Sequence, residues 1–258
     1  MEYEVKNYFS GTSGLLLPVP NKSYYPKAYR EKTRLCYYSS LKNSIEINSS
    51  FYKIPQGSTL ERWREEVPQN FRFTFKLFKG ITHAPNLAFR DDDVVRFFEA
   101  VDSISDKKGC ILVQFPQSIK SGNNASIFGL LECLSKHNSN DAWKIAFEFR
   151  HASLYTEEIY KRLRTHKFGM VIHDKAMVPS AFDVVQNDFR YLRFHGPNGN
   201  YRGSYSDDVL SEYATYIAAW LKDNKQVYVY FNNTMSDAYG NLNTLNRYVW
   251  GFMQAEIV

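Results

Sequence analysis

"FRYLRFHG", residues 189–196, splits into two sets of side chains. Successive residues of an extended chain point to opposite faces, so Leu192 and Phe194 share one face while Tyr191, Arg193 and His195 share the other. The first face needs an apolar layer to cover it. The second carries a guanidinium and an imidazole toward the end of the run, where an ordinary buried strand would continue with Val or Leu.

The same split recurs along the chain. Ile45 and Ile47 oppose Glu46 and Asn48 in "SIEINSS" (44–50), and Phe73, Phe75 and Leu77 oppose Thr74 and Lys76 in "FRFTFKL" (71–77). Ile111, Val113 and Phe115 oppose Leu112 and Gln114; Ile145, Phe147 and Phe149 oppose Ala146, Glu148 and Arg150; Val227, Val229 and Phe231 oppose Tyr228, Tyr230 and Asn232. With "NYFSGTS" near 7 and "FGMVIHD" at 168, eight strands are predicted.

Most gaps between these runs show helical periodicity: Val94, Phe97, Phe98 and Val101 after a cap at Asp91–Asp93, then Ile127, Leu130, Leu131 and Leu134. Tyr213, Tyr216, Ile217 and Trp220 follow a Ser206-Asp207 start, and Leu242, Leu245, Val249 and Phe252 line a last helix. The gap "KAMVPSAFDVVQND" (175–188) contains a proline and is short, which predicts a reduced helical element between strands 6 and 7. Parallel strands need crossover helices, and eight such units in 258 residues predict a single α/β domain over 1–258, a (β/α)8 TIM-barrel-like fold. A doubly wound sheet would announce itself with G-x-G-x-x-G; "GTSG" at 11–14 is not that motif.

In such a barrel the apolar faces meet the helices. The polar members of the inward faces gather at the C-terminal strand ends, where barrel enzymes build their sites. The alternative is a self-satisfied plug in which Glu46, Glu148 and Asp174 balance Lys76, Arg150 and Arg193. Desolvating six charges merely to fill space is costly where Leu or Val would serve, and a ligand site is the preferred reading.

Glu46 and Glu148 are the candidate acid/base pair, and His195 can shuttle a proton near neutral pH. Lys76, Arg150 and Arg193 suit an anionic group. The loop "HGPNGNYRGSY" (195–205) offers Arg202 and the backbone donors of Gly196, Gly199 and Gly203 to a phosphate, or is simply a surface loop. No cofactor is called for. A divalent metal stays open through the ligand types Glu46, Glu148, His173, Asp174 and His195, although His173 falls in the outward phase if Asp174 points in. Neither H-E-x-x-H nor G-x-S-x-G occurs.

The formal charge of +5 favours anionic ligands without demanding nucleic acid, and the basic run "KRLRTHK" (161–167) reads as a solvated helix face. Cys36, Cys110 and Cys133 suggest neither a disulfide framework nor a four-ligand zinc site, which fits a reducing cytoplasm. No apolar run reaches roughly 18 residues, and no membrane partner is expected. Oligomeric state is not legible.

Taken in order, "GTSG" (11–14), "YYP" (24–26), "EINSSFY" (46–52), "FRFTFK" (71–76), "ITH" (81–83), "QFP" (114–116), "EFRH" (148–151), "YLRFHG" (191–196) and "VYVYFNN" (227–233) resemble the YecE-like family, domain of unknown function 72. The resemblance spans nearly the whole chain. It implies a TIM-barrel-like fold and a shared pocket of Glu46, Asn48, Lys76, His83, Gln114, Glu148, Arg150, His151, Arg193, His195 and Asn232, without assigning a reaction. Where family members often carry Trp, this chain has Leu15 and Leu154, and Gln117 stands in place of a second Pro, departures expected on the rim of the site. The function expected is acid/base chemistry of hydrolase or lyase type on a small polar, anionic or sugar-like substrate. The alternatives are metal-assisted phosphoester hydrolysis, with nucleic acid as a substrate, and non-catalytic metabolite binding.

Overall fold

The computed structural model describes residues 5–175, 178–179, 182, 185 and 187–255. Eight strands are present among them: β1 (Tyr8–Thr12), β2 (Ser44–Ile47), β3 (Arg72–Lys76), β4 (Lys108–Gln114), β5 (Lys144–Glu148), β6 (Gly169–His173), β7 (Phe189–Phe194) and β8 (Gln226–Phe231). All pair in parallel, in the order β1-β8-β7-β6-β5-β4-β3-β2. Every crossover but that between β6 and β7 contains a described helix. Together the crossovers contain α1 (Arg34–Leu41), α2 (Ser49–Tyr52) with α3 (Gly57–Glu66), α4 (Lys79–Thr82) with α5 (Asp91–Val101), α6 (Asn124–His137), α7 (Glu157–Thr165) and α8 (Asp207–Lys222), and α9 (Ala238–Gln254) follows the last strand. This is a nearly closed (β/α)8 barrel. The reduced element expected within 175–188 falls largely outside the described residues.

Caps and charges account for the helix starts. Thr33, Thr156 and Ser206 each accept a first-turn backbone N–H of the helix that follows. Asp91–Asp93 do not cap α5 as expected. Arg90 is the N-cap, and the three aspartates occupy the first turn, where they face the positive end of the helix dipole.

The strand alternation partitions the core in two. Phe73, Phe75, Ile111, Val113, Phe115, Ile145, Phe147 and Phe149 pack outward against Val94, Phe97, Leu130, Leu134 and their neighbours on the helices. Cys110, Leu112, Ala146, Val171, Phe189, Tyr191, Tyr228 and Tyr230 fill the barrel interior. Tyr230 ends in a polar layer, its hydroxyl 2.6 Å from Ser44 Oγ and 2.7 Å from Thr74 Oγ1. That layer is the floor of the site above it.

Side chains stitch the seam between β1 and β2, where a single bridge, Ser13 to Glu46, represents backbone pairing. The Tyr38 hydroxyl accepts from Thr12 N–H (2.8 Å) and donates to the Ser44 carbonyl (3.0 Å). The Asn43 amide accepts from Ser10 N–H (2.8 Å) and donates to the Tyr8 carbonyl (2.7 Å). Each hydrogen-bonding group stands in for a missing rung. Gly11 makes the approach feasible, since a Cβ there would lie 1.9 Å from the Ser44 oxygen.

No described helix is long and apolar enough to cross a membrane. Cys36, Cys110 and Cys133 are all free thiols.

Candidate active site at the C-terminal strand ends

Each inward strand face ends in a polar group, and these groups converge on Arg193 of β7. Its Nε and Nη2 donate to the two oxygens of Glu46 on β2 at 2.9 and 2.8 Å, and its Nη1 donates to Glu148 Oε2 on β5 at 2.6 Å. Glu46, Glu148, Arg193 and His195 are all buried. Glu46 also accepts from Ser13 Oγ (2.5 Å) and from the Tyr191 hydroxyl, while Arg150 pairs with Glu148.

Burial alone would push both carboxyls up. The Arg193 charge and its hydrogen bonds outweigh burial at Glu46, with help from Ser13 and Tyr191, and the Arg193 and Arg150 charges outweigh it at Glu148. Both are therefore held as carboxylates, and Arg193 stays a cation.

Asp174 holds His195. Both of its oxygens accept the His195 backbone N–H (2.9 and 3.0 Å), Oδ1 lies 3.1 Å from Nδ1, and Oδ2 accepts from the Tyr205 hydroxyl. This network assigns the proton to Nδ1 and leaves Nε2 as an acceptor, 3.3 Å from both Arg150 Nη2 and Arg193 Nη1. Burial keeps His195 neutral despite the Asp174 carboxylate.

Lys76, at the end of β3, has a different environment. Its Nζ donates to Gln114 Oε1 at 2.7 Å and lies 4.1 Å above the Phe51 ring. Gln114 is oriented by donating its own Nε2–H to the Phe115 carbonyl (2.7 Å). Among the described residues no carboxylate pairs with Lys76. Burial, and then Arg193, lowers it to about 8. His83 packs edge-on against Phe51 at 4.8 Å, and burial followed by the Lys76 charge lowers it to about 4.

Above these groups lies a cavity of about 160 Å³, lined by Asn48, Phe51, Tyr52, Lys76, Gln114, Arg150, Arg193, Tyr201 and Asn232. A second hollow of about 370 Å³ shares Gln114, Arg150 and Tyr201 with it and reaches Gln117, Lys175 and Asn198. The structure thus brings Asn48, Lys76, Gln114, Arg150, Arg193 and Asn232 to one cavity, with Glu46, Glu148 and His195 beneath it, Asp174 behind His195 and His83 behind Phe51. His151 stands apart: its Nδ1 accepts from Ser153 N–H (3.2 Å) and caps a short turn at Ala152–Leu154.

Three expectations need correction. His173 is inward, not outward, sharing the phase of Val171, because β6 ends at His173 and Asp174 is free of the strand alternation. It accepts Lys175 N–H at Nδ1 (3.2 Å) and meets the Tyr155 hydroxyl at Nε2 (3.0 Å).

The glycine loop does not offer its amides to a ligand. Gly196 N–H goes to the Tyr205 hydroxyl (2.6 Å), Gly199 N–H to the Gly196 carbonyl (2.7 Å) and Gly203 N–H to Ser236 Oγ (3.0 Å). A loop that folds on itself satisfies its own donors first. Arg202 is exposed and absent from both hollows.

Leu154 is not on the rim but fully buried in the core, and Leu15 packs against the same core. Only Gln117 of the three departures lines the mouth. Among the described residues no group of three His, Cys, Asp or Glu side chains is placed to hold a metal ion.

Several contributors escaped the sequence reading. Phe51 and Tyr52 lie in α2, a single turn held by Ser50, whose hydroxyl bonds to the carbonyls of Ile47 (2.9 Å) and Lys76 (2.7 Å). They were visible within "EINSSFY", but no periodicity marks which side of one turn faces a cavity. Tyr191 carried a signal, since it precedes Arg193 by two on the same inward face. Tyr201 and Tyr205 sit in a loop and carried none.

A family model described as "Protein of unknown function DUF72" matches residues 9–251. The UPF0759 protein YecE of Escherichia coli K12 is 28% identical over 102 residues, which cover 40% of this chain and span only 38% of that protein's length. Among solved structures, a DUF72 family protein from Enterococcus faecalis V583 superposes with a TM-score of 0.77 at 22% identity, covering 94% of this chain and 95% of that one. A DUF72 family protein from Thermotoga maritima MSB8 gives 0.73 at 24% identity, covering 93% and 98%. At such identities the superpositions establish the barrel, and the family match over 9–251 establishes the relationship: this chain belongs to the DUF72 family.

Proposed function

We propose that this barrel is an enzyme that binds a small anionic, polar substrate in the cavity above Arg193 and performs acid/base chemistry on it. The environment of Lys76 carries this reading. The cavity wall presents Lys76, Arg150 and Arg193, but the two nearest carboxylates, Glu46 and Glu148, are already engaged by the guanidiniums. An incoming carboxylate or phosphate supplies the counter-charge that Lys76 lacks. Arg150 lines the same cavity, and its buried Nε has no hydrogen-bond partner.

The same geometry distributes the roles. A carboxylate held below its usual range is a poor proton acceptor, so Glu46 and Glu148 fix the guanidiniums rather than move protons. His195, clamped by Asp174, holds the two guanidiniums from the other side. Lys76, lowered to about 8, faces the cavity directly, which makes it the proton-transfer group.

Sulfate, whose charge is constant over the range, tests the binding half by calorimetry from pH 6 to 9.5. Affinity is expected to fall as pH rises through about 8, where the ammonium is lost, and Lys76→Met is expected to weaken binding roughly 10-fold or more and flatten the profile. No affinity in the wild type, or an unchanged profile in the variant, would sink the reading. Hydrogen–deuterium exchange into small carbonyl acids, followed by NMR, tests catalysis; a sensor would bind sulfate and leave every such compound unexchanged.

A further inference from the structure

We propose that Lys76 is a covalent nucleophile that condenses with the carbonyl of a small 2-oxo acid, an inference that rests on the anion-binding reading of the same cavity. Three features of its surroundings support it.

The first is its hydrogen-bond partner. A lysine paired to a carboxylate holds its proton, because losing it strands a charge. Lys76 is bonded to the neutral Oε1 of Gln114, whose orientation is pinned by the Phe115 carbonyl. It can give up its proton and leave no unpaired anion behind. The second is its neighbourhood: Arg193 and Arg150 line the same cavity, and with burial they lower Lys76 to about 8. At pH 7 about a tenth of Lys76 is then free amine, against a few parts in ten thousand for a lysine at 10.5.

The third is shared lining. Lys76, Arg150 and Arg193 all face one cavity of about 160 Å³. A small substrate that meets the amine and a guanidinium together carries its anionic group next to its carbonyl, as a 2-oxo acid does. The guanidiniums hold the carboxylate, and the amides of Asn48 and Asn232 remain for hydroxyl groups.

The step balances without a co-reactant. The amine lone pair attacks the carbonyl carbon, forming the C–N bond, and a proton passes from nitrogen to the oxygen. The resulting carbinolamine takes up a further proton and loses water, leaving an iminium. In sum, the ammonium and the ketone become the iminium and one water, with two of the three ammonium protons leaving on the oxygen. The iminium then draws electrons from the adjacent C–H or C–C bond, which is lyase-type chemistry.

Lys42 is an internal control. Burial lowers it to about 8 as well, it too donates to an amide oxygen, that of Asn243, and lies 4.5 Å above a ring, that of Tyr239, and it lines a separate hollow of about 340 Å³ between α1 and α9. Its hollow contains one guanidinium, that of the exposed Arg247, where the mouth contains two. If an amide partner and lowered basicity alone made a lysine reactive, the two would react alike.

The full-length chain is incubated with pyruvate and, separately, glyoxylate, then reduced with cyanoborohydride and mapped by peptide mass spectrometry. The expected result is one adduct, on Lys76, at least 10-fold above any other lysine, suppressed by sulfate and absent from Lys76→Arg, which keeps the positive charge. A wild type that binds sulfate but forms no adduct overturns this inference and leaves the anion-binding enzyme standing. Equal labelling of Lys42, or undiminished labelling of Lys76→Arg, overturns it too. If the wild type neither binds sulfate nor forms an adduct, both readings fall together.

Discussion

Arg193→Met is expected to destabilise the fold by about 3–5 kcal/mol, measured by urea denaturation at pH 7, because it leaves two buried carboxylates without their shared cation. Its pH dependence should invert. In the wild type, Glu46 and Glu148 have folded pKa values below the ordinary 4.5. Their pairing therefore stabilises fully above that value and is lost as pH falls through the lower folded values. Without Arg193, burial dominates at Glu46 and raises it, while Arg150 still pairs with Glu148. The variant should then gain stability as pH falls from 7 toward 5, as Glu46 takes up a proton, while the wild type does not. Adding Glu46→Gln and Glu148→Gln to Arg193→Met should recover part of the loss. A variant as stable as the wild type, or one that follows its pH profile, would refute the assignment of Arg193 as the hub.

Gly11→Ala should destabilise by about 2–3 kcal/mol, for a reason unrelated to charge. The new Cβ would meet the Ser44 carbonyl carbon at 2.7 Å and its oxygen at 1.9 Å, both backbone atoms that cannot swing aside, and the Tyr38 hydroxyl at 2.8 Å. To admit it, β1 and β2 must separate at the seam that Tyr38 and Asn43 hold together. Hydrogen exchange should localise the damage: the Ser10 and Thr12 amides, which donate to Asn43 and Tyr38, are expected to lose protection first. Gly251→Ala is the control, since nothing stands within 4 Å of its added carbon. Equal behaviour of the two variants would mean that the seam does not limit stability.

Whether the charged groups serve a ligand or only one another has a divided answer. Arg193, Arg150, Glu46 and Glu148 do pair with one another, as the plug alternative required, although Arg150 Nε is left without a partner. Lys76 does not belong to that set. It faces the cavity with an amide and an aromatic ring for company, and the functional reading concentrates there.

The inward set was legible because it depends on local geometry. A strand alternates wherever it lies, so Glu46, Lys76, Gln114, Glu148 and Arg193 could be assigned to one face residue by residue, and their places near strand ends put them at one end of a barrel. Legibility stopped where the strands stop. His173 and Asp174 were assigned opposite faces by extending the alternation one residue too far, and the Gly196–Gly203 loop, open between a phosphate cradle and a surface loop, uses its amides within its own fold.

Thus the chain's periodicity by itself determined the barrel, its two cores and the membership of the polar layer. Only the tertiary structure decided the partnerships. Glu46 and Arg193 lie on β2 and β7, 147 residues apart, and no local rule relates them. Which carboxylate meets which cation, and which lysine faces the mouth beside two guanidiniums, depends on barrel closure and strand stagger, and these are properties of the whole sheet.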